Sequence, residues 1–426
     1  MNVQRLAGAA GIAAALALAG CNNGSHSSSN GSPHVVSKIA IPNITATSNF
    51  SFDLGTVDTR TGRYYFTDRN NKSVDVIDTR TNTLLRQIGG FSGCNTGPTC
   101  AGANNDKSGP NGVDVIPGTP FVLVGDVNAV RVIDTTSNTV TKSIPIGGTS
   151  GLRADEGCYD PDHNLYMISS PGESPPFATF IDVTTLKVIA TLLFTDPGSG
   201  PGGPASAGLE ACTYDHTTQS FFVNNDGTTA NPRGELDVIP ATAILAAGTP
   251  AAPATISFPA ITPGSGWNAY PLGACDPTGL ALGPGTDILV SCRQGTFGER
   301  LTLEVLNRTT GQLLATINAG GADQVAYDPV TNRYFIAASR WTQSGTSSGP
   351  GCGGANAPCT PTLFIIDAGT RQVVASLTTG NNAHSVAVDS TTGRVYMPYS
   401  SSVSPGGCLD CSANPEGGVL VFTTTP

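Results

Sequence analysis

The chain has 426 residues and a formal net charge of −10, with 12% charged residues set against 52 glycines and 31 prolines. That many turn formers and so few charges exclude long amphipathic helices and indicate an all-β chain, while the acidic balance argues against nucleic acid or another polyanion as partner. Aromatic residues are 6% of the total and show no basic interleaving, which leaves no stacking platform for single strands.

In chain order, the first signal is an export leader. Arg5 supplies a positive start and residues 6–19 an apolar stretch too short to stay in a bilayer as a permanent helix. Residues 1–20 are therefore expected to be a signal peptide. It ends in Leu18-Ala19-Gly20-Cys21, which resembles a bacterial lipobox. The resemblance implies a lipid anchor on Cys21, attachment to a membrane of the cell envelope and, because Asn22 rather than Asp follows, the outer membrane. Residues 21–34 are rich in Ser, Gly and Asn and read as a flexible tether with nothing to bury.

From residue 35 onward the sequence repeats. Residues 57–88 read VDTRTGRYYFTDRNNKSVDVIDTRTNTLLRQI, and 113–146, 325–377 and 386–399 follow the same scheme of strand, turn, strand, loop, strand, turn, strand. Asp-x-x-Thr-Gly and Asp-x-x-Thr-Asn place residues that hydrogen-bond locally or tolerate positive φ between β-branched and aromatic runs, which makes them hairpin turns. One such four-stranded antiparallel sheet cannot bury both faces alone. Seven packed face to face around an axis can, and closing the circle protects the strand edges. The units are placed at about 52–89, 110–148, 154–194, 208–258, 277–318, 322–378 and 383–423. The last lacks a fourth strand, and residues 35–42 match the fourth-strand pattern, so an N-terminal strand is expected to close a seven-bladed β-propeller spanning 35–426.

These units resemble those of the YVTN-repeat, lactonase-type propellers of bacteria over nearly all of residues 35–423. The resemblance implies the fold. It leaves the activity open, because that family includes lactone hydrolases, a lyase and surface or periplasmic proteins without an assigned role.

Apart from Cys21 there are ten cysteines, an even number in a chain read as exported, so disulfides are expected. Cys94 with Cys100, Cys352 with Cys359 and Cys408 with Cys411 are close in sequence and fall in loops of one face, the upper face. Cys275 and Cys292 belong to adjacent strand ends of one blade, and Cys158 and Cys212 occupy equivalent first-strand positions of neighbouring blades.

Aligning the first strands brings seven polar residues to the upper mouth of the central channel: Asp53, Asn111, Asp155, Glu210, Thr278, Asp323 and His384. Converging carboxylates repel unless a cation or hydrogen-bond donors compensate them. Asp53, Asn111, Asp155, Glu210 and Asp323 are thus candidate ligands for a divalent cation, calcium or magnesium. The competing reading has the same residues capping strand amides or holding channel water. His384 is the candidate general base. Around the mouth Arg69, Arg293 and Arg340 are placed to clamp a carboxylate or sugar acid, with Trp341 and Tyr399 as flat apolar faces. No nucleophile elbow, phosphate loop or haem motif is present, and no organic cofactor is expected. Two functions follow: a monomeric envelope binding or scaffold module that offers its upper face to a protein or small-molecule ligand, and a metal-dependent lactonase-type hydrolase or lyase acting at the channel mouth.

Overall fold

The computed structural model describes residues 32–45, 47–195, 208–273, 275–293, 301–342, 359–401 and 416–424. The leader, Cys21, most of the tether, Cys352, Cys408 and Cys411 lie outside the described residues.

The local chemistry of the turns sets the repeat. In the first blade the Asp58 carboxylate accepts the amide of Arg60 at 3.1 Å and the hydroxyl of Thr61 at 2.8 Å. Gly62 then takes the left-handed conformation, φ 67°, that brings the chain back as the next strand. The same device recurs with Asn82 (φ 54°), Asn138 (φ 55°), Asn332 (φ 53°) and Gly393 (φ 63°), each four residues after an Asp.

Hairpins of this kind assemble into seven antiparallel sheets. Their innermost strands are Phe52–Asp58, Val113–Val115, Gly157–Asp160, Leu209–Asp215, Asp276–Leu282, Val325–Asp328 and Ala387–Asp389. Each touches the next around a circle, and the seventh touches the first. The core lies between blades. Tyr64, Phe66 and Ile77 of the first blade pack on Tyr396, Val419 and Val421 of the last, and equivalent apolar layers fill the other junctions. The N-terminal strand Val35–Ile39 pairs antiparallel with Gly418–Thr423, with Ile39 opposite Val419, and completes the seventh blade. The fold is the expected seven-bladed β-propeller with its N-terminal closure.

Blade four departs from the expected boundary. Its fourth strand is Asn268–Pro271, paired with Glu235–Pro240, so the blade runs to 271 rather than 258. The segment Ala254–Ser257, which carries the alternation of an outer strand, instead joins blade three in parallel to Lys187–Leu193. The cause is an insertion. The third strand ends at Pro240 and passes directly into the helix Ala241–Ala247, whose Ala241 and Ile244 are buried in the apolar cluster shared by blades three and four. The helix carries the chain across to the neighbouring blade's edge before it returns.

A candidate ligand site at the channel mouth

Each inner strand starts at the same end of the channel, so the residues that open these strands converge although they are separated by up to 331 positions in sequence, from Asp53 to His384. They form a cavity of about 520 Å³ walled by Asp53, Arg69, Arg153, Glu210, Arg293, Asp323, Arg340 and His384, with Phe50, Phe52, Cys100, Gly102 and Ala103 at one side. Three expected ring members stand behind this wall. Asn111 is fully buried. It accepts the Arg69 guanidinium at 2.7 Å and donates to the carbonyls of Ser108 and Ala154. Thr278, also fully buried, donates its hydroxyl to the carbonyls of Ser291 and Ala322. Asp155 is buried against Arg153, 2.8 Å away. Asn111 and Thr278 tie strand beginnings together through backbone carbonyls rather than by capping amides.

The carboxylates of the ring are compensated by arginines. Arg69 pairs with Asp53, Arg153 with Asp155 and Asp106, and Arg340 with Asp323. Arg293 reaches three acids, Glu210 at 3.1 Å, Asp226 at 3.2 Å and Asp276 at 3.1 Å. The second strand ends one strand spacing from the start of the first, so an arginine at that end meets its own blade's acid directly; Asp276 and Arg293 are register partners. Arg153 was not among the expected rim cations. Its signal was its place two residues before Asp155, on the same side of an extended chain.

Local fields tune these acids in different directions. Burial would raise Asp323, but Arg340 and His384 overcome it and hold the carboxyl well below the usual carboxylate range. Burial likewise opposes Arg69 and His384 at Asp53, which ends lowered. Burial raises Asp155 to about 7, Arg153 opposing and Asp53 and Glu210 adding to it. Burial raises Glu210 against Arg293, and burial with the Glu210 charge lifts Asp226 well above its ordinary value.

This donor set does not suit a divalent cation at the expected ligands Asp53, Asn111, Asp155, Glu210 and Asp323. Every one of the four carboxylates already faces a guanidinium, whose charge repels a metal ion, and the Asn111 amide is committed on both sides. Among the described residues no three His, Cys, Asp or Glu side chains gather as a metal-binding group. His384 stacks on Phe52 with ring centres 4.6 Å apart. Its Nδ1 lies 2.8 Å from the Asn382 carbonyl and its Nε2 3.6 Å from Asp53, so the ring is fixed between a backbone oxygen and a carboxylate at the cavity wall. Trp341 does not reach the cavity. It is half-buried in the loop after its second strand and packs edge-on against Phe364 at 5.0 Å, while Tyr399, at the end of its strand, is wholly buried; both pack against the same apolar cluster.

The disulfides Cys94–Cys100, Cys158–Cys212 and Cys275–Cys292 are formed as paired from the sequence. Cys359 is disulfide-bonded, its expected partner Cys352 being outside the described residues. The first of these bridges has a direct bearing on the mouth, since Cys100 and the residues that follow it form part of the cavity wall.

No family model matches the chain, and no curated protein matches it either. Solved structures do. The chain is similar to a structure of hydrazine synthase from Kuenenia stuttgartiensis, with a TM-score of 0.60 and 12% identity over 95% of this chain and 99% of that one. It is also similar to a chain in a crystal structure of a mitotic checkpoint complex, with a TM-score of 0.56 and 12% identity over 92% and 94%. At this identity the likeness establishes the propeller fold.

Proposed function

We propose that this protein is a binding module of the cell envelope, held to a membrane through Cys21, whose propeller receives a small polar ligand at the arginine-lined channel mouth. The observation that carries the reading is the 520 Å³ cavity in which Arg293, Arg340 and Arg153 alternate with Glu210, Asp323 and Asp53. A wall of fixed donors and acceptors with little apolar surface suits a sugar acid or hydroxy acid, whose carboxylate meets a guanidinium and whose hydroxyls meet the acids. Arg340 is the anchor, because its side chain is 34% exposed and can turn a free edge to a ligand. The disulfide-clipped loop beside the cavity presents a rigid rim, and pre-formed rims lower the ordering cost of binding. The mitotic checkpoint complex is a protein assembly, which supports propellers of this fold as interaction modules in general.

Isothermal titration of the protein with sugar acids, hydroxy acids and neutral sugars tests the reading. Binding of an acid is expected, weakened by roughly 10- to 100-fold in Arg340→Gln, the loss of one charge-assisted hydrogen-bonded pair. Absence of binding by every class at 10-fold above about 1 mM, or an affinity indifferent to Arg340, overturns it.

A second reading, a lactonase-type hydrolase or lyase, draws on one observation, the fixed His384 beside Asp53. In that reading His384 moves a proton at the mouth. Lactone hydrolysis that disappears in His384→Ala supports it, and a protein inert toward a lactone panel removes it.

A further inference from the structure

Below the mouth, Asp323 and residues one to three positions farther along the other inner strands enclose a second cavity of about 140 Å³, lined by Asp114, Glu156, Asp323 and Gln324 between apolar side chains such as Leu54 and Leu280. Most of its polar groups are already committed. Gln324 accepts the Ser385 hydroxyl at 2.6 Å and the Val386 amide at 3.0 Å, and it donates to the Gly55 carbonyl at 2.8 Å. Asp323 belongs to Arg340. Asp114 accepts the buried Tyr166 hydroxyl at 2.9 Å on one of its two oxygens.

Glu156 is the exception. The residue is 8% exposed, it borders the cavity, and among the described residues its carboxyl has neither a hydrogen-bond donor nor a cation. Asp155, Glu210, Asp323 and Asp53 surround it with like charge. A buried carboxyl without a partner is costly and is compensated by a proton or by a cation.

We infer that this inner cavity is a site for a hard divalent cation, calcium or magnesium, held by Glu156 and Asp114 with water completing its shell. The donors are oxygens only, which selects hard cations over zinc or copper. The volume accommodates an ion with about four waters at ~30 Å³ each. Two carboxylates match a charge of two, and among the described residues no guanidinium faces Glu156, in contrast to the mouth above. The cation site does not rest on the ligand proposed for the mouth, although Asp323 lines both cavities.

The test uses the full chain, stripped with chelator and titrated with calcium chloride and, separately, magnesium chloride. Binding with Kd on the order of 10⁻⁴–10⁻³ M is expected for one of them, the range of extracellular calcium modules. A rise in Tm of about 1–3 °C at 10 mM metal should accompany it. Glu156→Gln should abolish both signals and Asp114→Asn should weaken binding about 10-fold or more, whereas Arg340→Gln, which frees Asp323 at the border of both cavities, should not weaken it. Should the Glu156 variant fold poorly, anomalous diffraction from manganese-soaked crystals reads the wild-type site directly. A peak between Glu156 and Asp114 upholds the inference. No heat and no Tm shift with either metal, unchanged binding in Glu156→Gln, or an anomalous peak at the mouth overturns it.

Discussion

Glu156, buried, and Asp323, half-buried, border the same inner cavity, yet their carboxyls are tuned in opposite directions. Asp323 has a guanidinium and His384 beside it and is held low; Glu156 is pushed well above the ordinary glutamate value by burial and by the charges of Asp155, Glu210, Asp323 and Asp53. The sign of the consequence for stability follows. An acid whose folded pKa exceeds its unfolded one stabilises the fold below the unfolded pKa and loses that contribution as pH rises through the folded pKa. In chelator, Glu156→Gln should therefore gain stability relative to wild type as pH rises above about 4.5, the ordinary glutamate value, and urea unfolding at pH 4 and pH 8 measures the gap. Added divalent cation should narrow it at pH 8 by binding the wild-type carboxylate. Four of the seven ring residues, Asp53, Glu210, Asp323 and His384, stand at the cavity wall where strand alignment put them, with Arg69, Arg293 and Arg340 beside them, because that alignment fixes which residue lies at the start of each inner strand. That these two sets neutralise each other was not legible in the sequence, since it depends on a second-strand end lying across from its own first-strand start.

At the scale of elements the turn code was the most legible feature, because an Asp four residues before a Gly or Asn acts within a single hairpin and needs nothing from the rest of the fold. The disulfides required more. Cys158 and Cys212 are 54 residues apart and were paired from equivalent positions in successive repeats, an argument that works because a propeller superposes each blade on the next by rotation. Closing a loop of that length restricts the unfolded chain, by about 4 kcal/mol in the entropy account. The double substitution Cys158→Ser with Cys212→Ser should lower the unfolding free energy by roughly that amount in denaturant titration, and an effect below about 1 kcal/mol would show the bridge to be incidental to stability. Blade four marks where local patterning misleads. The run Ala254–Ser257 has the look of an outer strand and is one, but it serves the neighbouring blade, because any open sheet edge offers the same backbone donors and acceptors to whatever strand arrives.

For the whole molecule, closure decides whether there is a site at all. Val35–Ile39 covers the edge of Gly418–Thr423, and Ile39 with Ile41 fills the seam between last and first blades. Excising residues 35–41 should cost about 4 kcal/mol from the two buried isoleucines alone. It should also expose an unpaired edge that drives association at higher concentration, readable by thermal unfolding and light scattering. An excised chain that stays monomeric with unaltered Tm would mean that the strand is dispensable and the circle closed by blade packing.

The sequence by itself determined the repeat, the turn chemistry, the blade count and the disulfide partners within the described residues, because these rest on interactions within one hairpin or on a period that repeats along the chain. Only the tertiary structure decided that four arginines occupy the acids of the mouth while Glu156 is left alone beneath them. The reason is distance: charges in a channel act on each other across blades, and which acid meets a guanidinium is settled by side-chain reach between strands rather than by any spacing along the chain.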